Sequence, residues 1–114
     1  MHHEMKKVTV IVTEMMTMLM LNGAKEIDIK IKRTDIGTEF TFTHYDCHYD
    51  EDFIDRLEYN LNTQRQYEVE GYYWQLAGED ESGDELHLVG AMIDEAEIEK
   101  DEENLHIHLI RRTI

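Results

Sequence analysis

The segment from residue 14 to residue 31 constrains the fold of this chain more than any other part of the sequence. It reads Glu-Met-Met-Thr-Met-Leu-Met-Leu-Asn-Gly-Ala-Lys-Glu-Ile-Asp-Ile-Lys-Ile. An apolar helix ends in Asn22-Gly23-Ala24, and a strand of alternating polarity follows directly. Glycine is favoured just past a helix C-terminus because it enters the left-handed region without a Cβ penalty. We therefore predict a helix joined to a strand by one short turn at Gly23.

Length and composition predict a single domain, residues 1–114. A chain of 114 residues can bury one core but not two. The single cysteine, Cys47, excludes an intrachain disulfide framework and fits a reducing, cytoplasmic setting. No uninterrupted apolar stretch approaches the roughly 20 residues of a membrane span. We therefore expect a cytoplasmic protein that does not cross a membrane.

The chain is strongly acidic, with a formal net charge of -15 from 26 acidic and 11 basic residues. Such a surface repels phosphate backbones and anionic lipid headgroups. Nucleic-acid and membrane-surface partners are therefore not expected. The charge itself is typical of a protein kept soluble by its surface.

The first helix is predicted over Lys6–Asn22 and is apolar over most of its circumference. Its polar side is limited to Glu14 and three threonines, Thr9, Thr13 and Thr17. A helix with so wide an apolar surface lies in the centre of a fold or in a subunit contact.

Strict alternation of polar and apolar residues predicts two β-hairpins. The first comprises Glu26–Lys32 and Glu39–Thr43, with a turn at Asp35–Thr38; the second comprises Glu95–Glu99 and Asn104–Arg111. Six apolar residues should face the helices: Ile27, Ile29, Phe40, Phe42, Ile98 and Ile107. The opposite face should be polar and meet water through Asp28, Lys30, Thr41, Thr43, Glu97, Glu99, His106 and His108.

Further helices are predicted between the hairpins. One covers Asp50–Leu61, and a second covers Gln66–Ala77, with adjacent aromatic residues at 72–74. Ser82 and Glu85, three residues apart, fit a capping box that begins another helix. These elements predict an α+β fold: a two-layer sandwich of a mixed four-stranded sheet with three to four helices on one face.

The helix–turn–strand segment resembles the GHKL ATPases, a superfamily that includes histidine kinases, anti-sigma-factor serine kinases and mismatch-repair ATPases. Those families carry a Glu and, four residues later, an Asn that holds Mg²⁺, followed by a Gly-Ala type of turn. Glu14 matches the acidic position, and Gly23-Ala24 match the turn. The position of the metal-holding Asn is occupied by Met18, whose thioether is a poor ligand for a hard cation.

A second segment, residues 86–98, is similar to the last helix and following strand of the anti-sigma-factor kinases. It reads Leu-His-Leu-Val-Gly-Ala-Met-Ile-Asp-Glu-Ala-Glu-Ile, and the chain later ends a strand in Arg111-Arg112. The resemblance spans about residues 8–112. It implies a minimal histidine-kinase-like ATPase fold.

The same resemblance implies that the nucleotide-binding motifs are degenerate. Asp46 takes the place of the adenine-reading Asp, but both glycines that follow it in the family are absent here. Ahead of the last helix, Gly83 retains the first glycine of the phosphate-binding Gly-x-Gly, while Glu85 occupies the second. A carboxylate there repels phosphate and caps the amides that phosphate needs. The positions of the degenerate site are Glu14, Met18, Asp46, Gly83 and Glu85.

The expected function is a non-catalytic regulatory or protein-interaction module on this ATPase scaffold, acting in signal transduction. It would have no catalytic residue and no cofactor, and it would bind a protein partner; a homodimer is one option. The alternative is an ATP-binding serine or histidine protein kinase of the anti-sigma or sensor type, which would use ATP and Mg²⁺.

Two groups of residues contain side chains that can ligate a metal ion. His44, Cys47, His48 and Asp50 lie close together in sequence, but the adjacent Cys47 and His48 would chelate one ion awkwardly. His106 and His108 share a strand face, which alternation alone produces. We expect no metal at either group, with a small metal-binding protein as the remaining alternative for the first.

Overall fold

A computed structural model describes residues 3–68, 70 and 86–113. Within them lie three helices and four strands. In chain order these are α1 (Glu4–Leu21), β1 (Ile27–Thr34), β2 (Gly37–His44), α2 (Glu51–Leu61), α3 (Leu86–Gly90), β3 (Glu95–Lys100) and β4 (Leu105–Arg112).

The four strands form one sheet in the order β1-β2-β4-β3. Every neighbouring pair is antiparallel, including the central pair β2–β4 that joins the two hairpins. The prediction of a mixed sheet was therefore wrong. Each hairpin reverses the chain locally, and the two hairpins meet with β2 and β4 running in opposite directions, so no parallel pair arises.

The predicted inward face of the sheet is confirmed. Phe40, Phe42 and Ile107 are fully buried, and the other three predicted residues are partly buried against the same core: Ile27, Ile29 and Ile98. One row across the sheet pairs Ile29 with Phe42, Phe42 with Ile107, and Ile107 with Ile98. Together with the helices, this gives the predicted two-layer α+β arrangement.

Helix α1 is central, as its apolar surface predicted. It buries Val8, Ile11, Met15, Met18 and Leu19. It ends at Leu21, and Gly23 takes the predicted left-handed conformation with φ 85°. The N–H of Ala24 then donates to the C=O of Leu19 at 3.1 Å, which closes the turn into β1.

Helix α2 begins one residue later than predicted because Asp50 is its cap. The Asp50 carboxylate accepts from the N–H of Phe53 at 2.8 Å, which satisfies a helix-terminal donor. Helix α3 packs close to α2 at Gly90. A Cβ on Gly90 would lie 2.2 Å from the C=O oxygen of Asn60, so only glycine permits this approach.

The remaining helix predictions are only partly covered by the structure. Residues 67, 68 and 70 are helical, and the N–H of Glu70 donates to the C=O of Gln66 at 3.1 Å. The rest of the predicted Gln66–Ala77 helix, with residues 72–74, lies outside the described residues, as does the Ser82–Glu85 capping box. Among the described helices, none is both long and apolar enough to cross a membrane.

Candidate functional site

Glu14 and Met18 lie one turn apart on the buried side of α1. Each is only 3% exposed. Met18 belongs to the hydrophobic core together with Val89 of α3 and Met92. Met18, which the resemblance aligns with a metal-holding Asn, is therefore packed among apolar groups, where a thioether is well suited to filling space.

Asp46 lies in a different environment, at the surface of the loop between β2 and α2. Its backbone is left-handed, with φ 54°, and its N–H donates to Oδ1 of Asn104 at 3.2 Å. The next N–H, from Cys47, donates to the C=O of Glu103 at 2.7 Å. These bonds tie the loop to the β3–β4 turn. The other two positions of the predicted degenerate nucleotide site, Gly83 and Glu85, lie outside the described residues.

The side chains of His44, Cys47, His48 and Asp50 do not converge on one point. His44 is buried, and its Nδ1 lies 2.7 Å from the Tyr49 hydroxyl. The Cys47 thiol donates to the C=O of His44 at 3.3 Å, while His48 is exposed and Asp50 caps α2. Within residues 3–68, 70 and 86–113, no group of three or more His, Cys, Asp and Glu side chains is arranged to hold a metal ion.

Burial alters the proton affinities of this loop in the direction of the uncharged forms. It lowers the pKa of His44 and raises the pKa values of Cys47 and Tyr49. A neutral imidazole, a thiol and a phenol are what a packed interior favours. The raised pKa values keep the Cys47 thiol and the Tyr49 hydroxyl protonated, which is not the form in which either group acts as a nucleophile.

The two histidines of β4 each have a separate partner on the outer face of the sheet. His106 Nε2 lies 3.3 Å from Asp101, and its Nδ1 lies 3.4 Å from the Thr43 hydroxyl. His108 Nε2 lies 3.4 Å from Glu39. The rings are thus held by neighbouring strands and the adjacent turn.

The most unusual polar group of the described structure is a buried guanidinium that is not among the predicted site residues. Arg111, at the end of β4, is 1% exposed. It donates to Glu4 through Nε at 2.9 Å and Nη2 at 2.8 Å. It also donates to Glu70 through Nη1 and Nη2, both at 2.9 Å, and to the C=O of Met92 at 2.7 Å. Both carboxylates are therefore bound in a bidentate manner.

Further charged side chains extend this cluster. Arg65 donates to Glu70 at 3.1 Å and to Asp94 at 2.8 Å, and Lys7 donates to Glu70 at 3.2 Å. We call these residues the ionic cluster: Glu4, Lys7, Arg65, Glu70, Asp94 and Arg111. It joins the start of α1, the segment after α2 and the last strand.

The alternation of residues along β4 indicates that Arg111 is buried. Leu105, Ile107 and Leu109 alternate inward along β4, so the next residue of that series, Arg111, must also point inward. A charge in such a place requires buried partners of opposite sign. The partners lie 107 and 41 residues away in sequence, so the sequence does not identify them.

The ionic cluster sets the protonation of Glu70. Burial alone would raise its pKa, but hydrogen bonds from Arg111 and Arg65 and their positive charges outweigh burial and lower the pKa to about 2. The unfolded chain therefore takes up a proton at Glu70 at a higher pH than the folded chain does. This linkage stabilises the fold fully above the unfolded pKa near 4.5, and it is lost as the pH falls from there through 2.

We expect this dependence to appear when wild type is compared with Glu70→Gln. The stability advantage of wild type should be constant between pH 7 and 5 and should shrink as the pH falls below about 4.5. Thermal unfolding over this pH range measures it. Glu68→Gln, at an exposed neighbouring position, is the matched control and should track wild type. A wild-type advantage that grows on acidification would contradict the assignment.

Exposed apolar side chains gather around the β1–β2 turn. Met5, Ile31 and Ile36 are 58%, 46% and 59% exposed, and Arg33 joins α1 to β1 by a 2.9 Å contact between its Nη1 and the sulfur of Met5. Ile36 also lines a cleft of about 360 Å³, formed by residues 34–39 and 110–112. We call Met5, Ile31, Ile36 and this cleft the turn-end surface. Apolar exposure of this kind is typical of a contact surface.

Comparison of the chain with models of protein families, with curated proteins and with solved structures finds no match. The resemblance to the histidine-kinase-like ATPases stays a prediction from the segments around Glu14 and around Asp94.

Proposed function

We propose that this chain is a non-catalytic regulatory module that acts by binding protein, built on a histidine-kinase-like ATPase scaffold that has lost its nucleotide chemistry. The observation that supports this most directly is the burial of Met18. In the ATPases it resembles, this position presents an amide oxygen to Mg²⁺, whereas Met18 packs in the core with Val89 and Met92. Apolar packing of this kind offers a hard cation no ligand.

The turn-end surface supports the binding half of the proposal. Its three large apolar side chains are each about half exposed, although the chain has a formal net charge of -15. A protein of this composition has ample polar residues for its surface. Apolar groups gathered beside a cleft are therefore better explained by a partner than by chance.

The alternative function, an ATP-dependent protein kinase, has one specific observation in its favour. Glu14 occupies the acidic position of the family motif and is buried next to the core. The family uses a Glu here ahead of its metal-holding Asn. The carboxylate of Glu14 is expected both in a nucleotide site that has lost its function and in one that still works. A measurement of nucleotide binding distinguishes these two cases.

The deciding experiment is a thermal shift with ATP, with and without Mg²⁺. A nucleotide at a hundred times its Kd would add about 2.7 kcal/mol to the free energy of unfolding. For a domain of this size that raises the melting temperature by several degrees. We expect no change at millimolar ATP in either condition.

Met18→Asn is the informative variant. It should lower the melting temperature, because it buries an amide among apolar side chains, and should leave the response to ATP flat. Glu14→Gln tests the remnant carboxylate in the same assay. Micromolar ATP binding by the unmodified protein, measured by calorimetry and dependent on Mg²⁺, would refute the non-catalytic proposal and favour the kinase.

A further inference from the structure

The two edges of the described sheet carry opposite charges. On its outer face, edge strand β1 presents Asp28, Lys30 and Lys32, and edge strand β3 presents Glu95, Glu97 and Glu99. Asp28 accepts a hydrogen bond from the Tyr45 hydroxyl, and Glu95 pairs with Arg112. Lys30, Lys32, Glu97 and Glu99 are exposed, and within the described residues none of these four has a hydrogen-bond or ion-pair partner. The lysines are conspicuous in a chain with only 11 basic residues.

Both edges also have backbone groups that no other described residue pairs with. The N–H of Tyr45 donates to the C=O of Glu26, so even-numbered residues of β1 turn their backbone groups toward β2. The odd-numbered ones, such as Ile31, turn theirs to the open edge. Likewise the N–H of Asp101 donates to the C=O of Asn104, so the even-numbered residues of β3, such as Ile98, face the other edge.

One register between β1 of one molecule and β3 of another pairs the open backbone groups and also the side chains of opposite charge. If β1 of one molecule lies antiparallel to β3 of another with Ile31 opposite Ile98, the open backbone groups of both strands meet. In the same register Lys32 falls opposite Glu97, and Lys30 falls opposite Glu99. Ile31, exposed in the single chain, then meets an apolar side chain on the helical side of the sheet. Opposite charges and apolar pairs directly across an antiparallel ladder are both favourable.

We propose that the basic β1 edge binds the acidic β3 edge of a second copy of this chain, which continues the sheet from one molecule into the next. The same charges disfavour β1–β1 and β3–β3 contacts, because like charges would then face each other. Charged residues on edge strands commonly prevent edge pairing. Here the charges disfavour pairing of two β1 edges or of two β3 edges, while a β1 edge and a β3 edge remain complementary.

This contact is heterologous, so each pair of molecules retains one basic and one acidic free edge. Association should then continue beyond a dimer into a chain or ring. The inference rests on the proposed function as a protein-binding module and specifies its partner.

Sedimentation velocity over a concentration series at 0.15 M salt tests the proposal. Wild type should shift from the 13.6 kDa monomer to larger species as the concentration rises. Lys30→Glu/Lys32→Glu makes both edges acidic, and Glu97→Lys/Glu99→Lys makes both edges basic. Each double variant alone should associate roughly tenfold or more weakly than wild type. An equimolar mixture of the two should associate again, because each acidic edge then finds a basic one.

Two controls address fold and net charge. Asp55→Lys/Glu58→Lys makes the same charge change as the β3 variant at exposed positions of α2, and it should associate at least as well as wild type. Ile31→Lys, at a half-exposed site, should abolish association while leaving the melting temperature near that of wild type.

A wild type that stays monomeric at millimolar concentration, or a mixture that fails to associate, would overturn the edge-pairing proposal. Neither result bears on ATP. If the chain also fails to bind ATP, the non-catalytic role stands with a different protein as partner, whereas ATP binding would refute that role whatever the oligomeric state.

Discussion

Replacing Arg111 by alanine is expected to lower the free energy of unfolding by about 3–5 kcal/mol at pH 7. Arg111 is almost completely buried and holds the carboxylates of Glu4 and Glu70 in bidentate pairs. Without the guanidinium, two buried negative charges face each other with only partial compensation from Lys7 and Arg65. Urea denaturation of wild type and variant at equal ionic strength measures the loss.

The adjacent arginine supplies the control. Arg112 pairs with Glu95 at the surface, and both side chains are about half exposed. Arg112→Ala should therefore cost no more than about 1 kcal/mol. A triple variant, Glu4→Gln, Glu70→Gln and Arg111→Met, should recover part of the loss because it removes the charges together. Equal costs for Arg111→Ala and Arg112→Ala would show that the ionic cluster is not buried in solution.

The second large effect is expected at Phe40. Truncating Phe40 to alanine should cost about 3–5 kcal/mol, because a fully buried ring is lost and a cavity is left in the core. Ile31 is its direct cross-strand neighbour on the same face of the sheet, yet it is 46% exposed. Ile31→Ala should therefore cost less than about 1 kcal/mol.

The pair shows where the helical layer ends. Helix α1 packs on β2, where Phe40 is fully buried, whereas Ile31 on the edge strand β1 stays half exposed. Chemical denaturation of both variants provides the comparison, and Ile31→Val is a milder check at the same site. If Ile31→Ala were as damaging as Phe40→Ala at a concentration where the chain is monomeric, the edge of β1 would have to be covered within the single chain, and the proposed edge pairing would lose its exposed isoleucine.

The candidate site was predictable to a limited extent. Placing Glu14 and Met18 on one helix one turn apart required only the helical period, and the structure places both on the buried side of α1. The side chains of His44, Cys47, His48 and Asp50 do not converge in the folded protein, because proximity in sequence does not determine where a side chain points. The β2–α2 loop turns His44 and Cys47 inward and uses Asp50 as a helix cap.

Local energetics explain what the sequence determined by itself. The strands, the inward row of Ile29, Phe42 and Ile107, and the end of α1 at Gly23 follow from side-chain periodicity and backbone preference, which neighbouring residues set among themselves. The all-antiparallel strand order and the partners of Arg111 were decided only by the tertiary structure. Both depend on segments far apart in the chain meeting in space: β2 with β4, and Arg111 with Glu4. A buried charge is stable only where a distant segment brings a partner of opposite charge to it. The local sequence pattern does not identify that partner.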